Sequence, residues 1–236
     1  MKTNLKFDSE KIAAHIRGLN AQDLKLRLSN LKHRASTIKL FVRVDIFNPK
    51  TDKLVKTTGD RPSHSFVIAF LQLMELLIAN KWEVSPDYVS IVDYGGTTRN
   101  SSFNIGQYHT RLMCSEAEAA NALYGILVGT GTSTPTNTDN AMETLIANGS
   151  SAGQLQYGSC AVGAAAVVGA NVDMVIARTF VNGSGGSITI REVGWVVRHA
   201  IIGTSTYYFL VAHDLVNQAV ADGYIAVVSY TLRTTV

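Results

Sequence analysis

The chain is poor in cysteine. Its 236 residues include two, Cys114 and Cys160, which form no CxxC pair and stand too far apart in sequence for a local metal knuckle. A disulfide-built scaffold is therefore excluded, and free buried thiols in a reducing compartment are expected. Long apolar runs are also lacking. The most apolar stretch, Phe66 to Ala79, falls short of the roughly 20 residues needed to span a bilayer, and Gln72 and Glu75 interrupt it. Residues 1–30 have no continuous apolar segment of the secretory kind. The expectation is a soluble chain that makes no use of a membrane.

Lysine disappears after Lys81. This decides how to read the stretch Gly129-Thr130-Gly131-Thr132-Ser133-Thr134-Pro135-Thr136-Asn137-Thr138-Asp139. A nucleotide-triphosphate loop needs a Lys-Ser/Thr pair after its glycines and a helix whose amides face the phosphate. A dinucleotide loop needs a third glycine where Thr134 stands, and a βαβ frame. Neither condition is met. Glycine, Pro135, Asn137 and Asp139 are turn-formers, so the segment reads as a structured connection, with Asp139 placed to cap a short helical turn through Ala141-Met142-Glu143.

Other catalytic patterns are missing as well. No GxSxG elbow is present, and Ser184 lies in an Asn-Gly-Ser-Gly-Gly turn. The six histidines (His15, His33, His64, His109, His199, His213) form no HxH or HxxxH pair. His213 and Asp214 are neighbours, so in a strand they point to opposite faces and cannot relay a proton to each other. The acids of the second half (Asp139, Glu143, Asp173, Glu192, Asp214, Asp222) are scattered in sequence, and nothing favours the paired carboxylates of a glycosidase. No catalytic, cofactor-binding or metal-ligating residue is assigned, and no cofactor is expected.

Charge is unevenly spread. Residues 1–43 carry ten basic side chains (Lys2, Lys6, Lys11, Arg17, Lys25, Arg27, Lys32, Arg34, Lys39, Arg43) against three acids, whereas from residue 110 onward eight acids face five arginines. A basic head on a mildly acidic body suggests an arm that meets a negative partner, nucleic acid or protein; a solvated helical face accounts for the same charges. Residues 20–34 read as a helix: Asn20 can cap, and Leu24, Leu28 and Leu31 share one face. The candidate partner-binding residues are Lys11, Arg17, Leu24, Lys25, Arg27, Leu28, Leu31, Lys32 and Arg34.

Beyond the arm the period changes to two. Ile38, Leu40, Val42, Val44 and Ile46 alternate with polar residues, and Asn48–Asp52 turns the chain into Lys53–Lys56, a β-hairpin. Phe66 to Lys81 reads as a helix apolar nearly all round, hence buried on most sides. Tyr88–Val92 is a short strand. From Leu123 the pattern is β throughout, with candidate strands Leu123–Val128, Gln154–Cys160, Asn171–Val181, Ser187–His199, Thr206–Leu215 and Tyr224–Thr234, joined by glycine-rich turns. The tract Ala161–Ala170 is compatible with strand, loop or helix. The fold class expected is mainly β: an antiparallel β-sandwich or jelly-roll-like body with an α-helical basic N-terminal arm and one buried helix. The divisions are 1–36 (arm), 37–122 (hairpin, buried helix and linker region) and 123–236 (sandwich body), with 37–236 as a single domain the alternative.

Several of these stretches form a series: Tyr124-Gly125-Ile126-Leu127-Val128-Gly129-Thr130-Gly131-Thr132, Pro135–Asp139, Leu145-Ile146-Ala147, Gly153-Gln154-Leu155-Gln156-Tyr157-Gly158, Arg178–Asn182, Gly185–Gly194 and Val228–Leu232, preceded by Pro62–Val67 and Gly95–Arg99. The series resembles a pattern of structural proteins of tailed bacteriophages, over most of residues 40–236. The resemblance implies a virion component with a β-sandwich body, assembled in the host cytoplasm, whose partners are copies of itself and neighbouring virion proteins. It brings no catalytic residues and does not distinguish capsid-associated, head–tail connector and tail proteins. The leading expectation is thus a non-enzymatic virion protein that oligomerises and docks through its N-terminal region, with nucleic-acid contact by the basic arm as a further possibility and no membrane partner. The alternative is a tail-fibre-like module that recognises a host surface glycan through exposed tyrosines. Trp195, Tyr207, Tyr208, Phe209, Tyr224 and Tyr230 could form a sugar-stacking platform, but strands are rich in such residues, so core or subunit-interface packing is the preferred reading of them; an enzyme comes third.

Overall fold

The computed structural model describes residues 37–63, 66–78, 88–101, 113–200 and 205–235. The sequence-predicted arm (1–36), with all of its candidate partner-binding residues, lies outside the described residues.

Twelve strands and one helix are described. In chain order they are β1 (Thr37–Asn48), β2 (Lys53–Thr57), β3 (Arg61–Pro62), helix α1 (Ile68–Ile78), β4 (Val89–Val92), β5 (Thr98–Ser101), β6 (Gly125–Gly129), β7 (Gln156–Val162), β8 (Ala166–Val168), β9 (Asn171–Val181), β10 (Ile188–Ala200), β11 (Thr206–Val220) and β12 (Ile225–Thr235). Every strand pairing is antiparallel. Seven strands form a large sheet in the order β2-β1-β12-β9-β7, with β3 added on β1 and β8 on β9; β11-β10-β6 form a smaller sheet, and β4-β5 a hairpin. The pairing of β1 with β12 joins residues 37–48 to the body built by the second half of the chain. Among the described residues no helix is long and apolar enough to cross a membrane.

Period-two patterning explains the large sheet. Leu40, Val42, Val44 and Ile46 of β1 stand opposite Leu232, Tyr230, Val228 and Ala226 of β12. All but Leu232 are buried, so two matched apolar stripes make one inner face. Full burial of each large aliphatic contributes roughly 1.5–3 kcal/mol, and a one-residue slip would turn both stripes to solvent.

The small sheet faces this surface. Trp195 of β10 lies 6.3 Å from the Tyr230 ring, and the Tyr230 hydroxyl is 3.1 Å from the Val193 carbonyl and 3.0 Å from Asp214 Oδ2. Loop 129–145 covers the other face of the small sheet. Residues 192–197 of β10 and 209–214 of β11 are therefore buried without alternation, as a strand covered on both sides must be.

Helix α1 departs from expectation. It is not buried on most sides: Ala69, Leu73 and Leu76 are buried, whereas Leu71 is 66 % and Ile78 79 % exposed, with Ile68 and Leu77 also open. The buried residues are one i, i+4, i+7 stripe, all that a helix lying against β4 and β11 can cover. An apolar circumference cannot report how many neighbours a helix has. Within Ala161–Ala170, the chain completes β7 and then forms β8, which returns into β9 through a two-residue turn at Gly169 and Ala170. Gly169 has φ +62, as the first residue of a II′ hairpin turn requires.

Arg178, on the inner face of β9, fastens the two sheets. It is one of the largest fully buried side chains. Its five N–H donors reach five backbone carbonyls: Nε to Gly158 (2.8 Å), Nη1 to Tyr124 and Ile126 (both 3.1 Å), and Nη2 to Glu118 (3.2 Å) and Asn121 (2.6 Å). The guanidinium also lies 4.8 Å from the Tyr157 ring centre. Burial lowers its pKa, but an arginine starts so high that it stays charged. Replacing it strands buried carbonyls at about 1–3 kcal/mol each. Arg178→Met is expected to lose at least about 3 kcal/mol in urea unfolding, and Arg178→Lys, with three donors for five acceptors, to recover only part of it. Wild-type stability in either variant would contradict the assignment.

Candidate functional site

The densest group of titratable side chains forms where loop 129–145 lies on the small sheet. Glu192 occupies the middle of β10 on the face turned away from the large sheet. Its carboxylate accepts four hydrogen bonds. Oε1 takes the amides of Gly131 (2.9 Å) and Thr144 (2.7 Å); Oε2 takes the amide of Glu143 (3.0 Å) and His213 Nε2 (3.1 Å). The other ring nitrogen of His213, on β11, lies 2.8 Å from Asp139 Oδ2. Asp139 in turn accepts the Thr136 amide at 2.9 Å and the Thr136 hydroxyl. Glu143 accepts the amides of Thr132 (2.7 Å) and Ser133 (2.8 Å).

This geometry answers the question posed by Gly129–Asp139. The amides at and after Gly131 do bind anions, and these are the chain's own carboxylates: Glu192 for Gly131, and Glu143 for Thr132 and Ser133. A Cβ on Gly129 or Gly131 would collide with Glu192, so glycine is required here by close approach to a side chain. Asp139 turns back onto Thr136 instead of capping a helix, and residues 141–143 are not helical. The same loop supplies a carbonyl, that of Asn137, to the first amide of α1 (Ile68, 2.7 Å). A depression of about 250 Å³ beside it is lined by Gly131, Thr132, Arg191, Leu215, Val216 and Asn217, but the Gly131 and Thr132 amides are already spent on Glu192 and Glu143.

Both ring nitrogens of His213 face carboxylates, which favours the doubly protonated ring. Burial by itself lowers the His213 pKa, but hydrogen bonds and charge from Glu192 and Asp139 outweigh it and the value is raised. Burial likewise pushes Glu192 up, while His213 and the amides of Thr144, Glu143 and Gly131 bring it below the usual carboxylate range. Asp139 is lowered against its burial by Thr136 and His213, and Glu143 by the Ser133 and Thr132 amides. The imidazolium has no lone pair to act as a base, and Glu192 has its four acceptor positions filled. The arrangement works as an ionised clasp that holds the loop on the sheet. Among the described residues no group of three or more His, Cys, Asp or Glu side chains is arranged to hold a metal ion.

His213 and Asp214 do point to opposite faces. His213 joins the clasp, while Asp214 turns to the large sheet and accepts the Ser63 hydroxyl at 2.6 Å. Sequence reasoning saw Asp139, Glu143 and Glu192 as scattered and missed their convergence. The available signal was Glu192 itself, an acid in a strand that is otherwise mostly apolar from Ile188 to Val197, where a buried carboxylate needs donors or a cation. The six aromatics do not share an exposed platform: Trp195, Phe209 and Tyr230 are buried in the core, Tyr224 is partly buried against it, Tyr208 stacks on Tyr124, and Tyr207 lies under the Arg99 guanidinium at 4.1 Å. Compared with family models, curated proteins and solved structures, the chain matches none.

The shifts give the clasp a pH signature. A raised His213 pKa contributes stability that is complete below the unfolded value of about 6.5 and is lost as pH rises through the higher folded value. The lowered Glu192 and Asp139 values contribute stability present above about pH 4 and lost as pH falls through the lower folded values. The urea midpoint should therefore decline from mildly acidic pH into the alkaline range, and His213→Asn should flatten that decline. An equal slope in both proteins would remove His213 as its source. Glu192→Ala, which frees three amides, should also make loop 129–145 susceptible to limited proteolysis while wild type resists.

Proposed function

We propose that this chain is a non-enzymatic structural component of a tailed-phage virion, a β-sandwich body that assembles with copies of itself and docks on neighbouring virion proteins through its N-terminal region. One observation carries the proposal: the residues of the virion-protein resemblance coincide with the joints of the fold. The Gly131 amide holds Glu192 and the Thr132 amide holds Glu143. Glu192 and Gly194, from the stretch Gly185–Gly194, lie under loop 129–145, where a Cβ on Gly194 would strike Met142. The Tyr157 hydroxyl donates to the Ile146 carbonyl at 2.7 Å, and the Gly158 carbonyl receives Arg178. Asn182 ties the turn after β9 to the end of β11 through Gly186 and Val220. A pattern spent on joints supports selection for shape and not for turnover, since reaction centres leave polar groups open to a substrate.

The test is compositional. Particles purified from cells carrying this gene should contain the chain at a fixed ratio to the major capsid protein. Deleting residues 1–35 removes no described strand, so the shortened chain should keep its β circular-dichroism spectrum and unfolding midpoint yet be lost from particles. Full incorporation of the shortened chain would refute docking by the N-terminal region. Absence of the intact chain from particles would refute the virion assignment, and glycan binding by the isolated body would replace it with the receptor reading.

A further inference from the structure

The two edges of the large sheet are finished differently. At the β2 edge, Lys53 and Lys56 flank Leu54 and Val55, a common guard against strand addition. At the opposite edge, β7 is covered: the Ala120 amide donates to the Tyr157 carbonyl, and the Cys160 amide to that of Ala117. That cover ends where β8 begins. Strand β8 pairs with β9 on one side, and among the described residues no backbone partner is found on its other side. Its residues Ala166, Val167 and Val168 are exposed, Val167 at 78 % and Val168 at 53 %. No charged residue occurs from Ala161 to Val172, and neither lysine nor proline guards this edge.

We propose that β8 is a self-association edge, at which two copies of this chain pair β8 antiparallel across a two-fold axis and continue one large sheet into the other. Self-complementarity selects a second copy as the occupant. Antiparallel pairing of a strand with itself sets Ala166 against Val168 and Val167 against its own counterpart, so no like charges oppose and a β-branched pair sits at the axis. The nearest charged pair, Asp173 and Arg233, is closed on itself by two bonds of 2.7 and 2.6 Å, which leaves nothing to attract a charged strand. Val167 stands opposite Val172, itself exposed. Those side chains lie on one face of the β8–β9 hairpin and Val168 on the other, so a partner strand would cover apolar surface on both. A three-residue edge falls below the roughly 800 Å² per partner of a stable standard interface, so the contact is weak and concentration-dependent in the isolated protein and gains strength from repetition in an assembly.

This inference rests on the self-association part of the function proposed above and is independent of the virion. Sedimentation equilibrium of the full chain over a concentration series should show reversible dimers, and Val167→Lys, an exposed position, should raise the dissociation constant at least about tenfold by opposing two lysines at the axis, with unchanged unfolding. Val167→Cys should oxidise to a disulfide mapped by mass spectrometry to residue 167 of both copies. A wild-type dimer indifferent to Val167→Lys, or cross-linking of 167 to a different position, overturns β8 pairing and leaves self-association standing. A wild-type chain that stays monomeric throughout overturns both.

Discussion

A single buried cation sets the spacing of the two sheets. Arg178 carries its charge into the core without a carboxylate, and its solvation is replaced by five backbone carbonyls and an aromatic ring. Those carbonyls belong to β6, to the segment preceding it and to β7, so a side chain rooted in the large sheet holds the edge strand of the small one. The register of β7 shifts against β9 between Tyr157 and Cys160, and the Gly158 carbonyl in that shift is the one that accepts from Arg178 Nε. Lysine could not substitute in kind, because three donors on a rotating ammonium cannot meet five acceptors spread in a plane.

With the small sheet fixed as a middle layer, its two faces follow different rules. Towards the large sheet, contact is mostly apolar, with Trp195 and Tyr230 at its centre. Away from it, the cover is loop 129–145, a segment too rich in exposed polar residues to be held by burial. The Glu192–His213–Asp139 clasp does that work through charge-assisted bonds to the loop's own amides, which are stronger than neutral ones. The loop is consequently tied to an ionisation state, and the glycines that suggest a phosphate site in the sequence make room for the carboxylate that occupies it.

Two apolar surfaces are left outside the core. Helix α1 presents Ile68, Leu71, Leu77 and Ile78 outward, and β8 ends the large sheet without a guard. Neither is needed to close the core, since the buried stripe of α1 and the β9 register are complete without them. Contact with copies and neighbours, as proposed above, would cover apolar surface of this kind.

Much of the architecture was legible in the amino-acid order because β-structure is written locally. The alternation of Ile38–Ile46 and of Tyr224–Leu232 marked two strands, and the structure pairs them; Asn171–Val181 was delimited to the residue, since a turn bounds it at each end. Glycine at Gly169 likewise carries its turn in its own backbone freedom. Long-range convergence was not legible. Asp139, Glu192 and His213 are separated by tens of residues, and hydrophobic periodicity carries no information about which polar side chains will meet. The cover over α1 was misjudged for the same reason, because an apolar surface states a preference for burial and not the presence of a neighbour. The sequence by itself determined where the chain extends, where it turns and which face of each strand is apolar. Only the tertiary structure decided which carboxylate fills the glycine loop, which carbonyls surround Arg178 and which edge stays open, because each of these depends on contacts between segments distant in sequence.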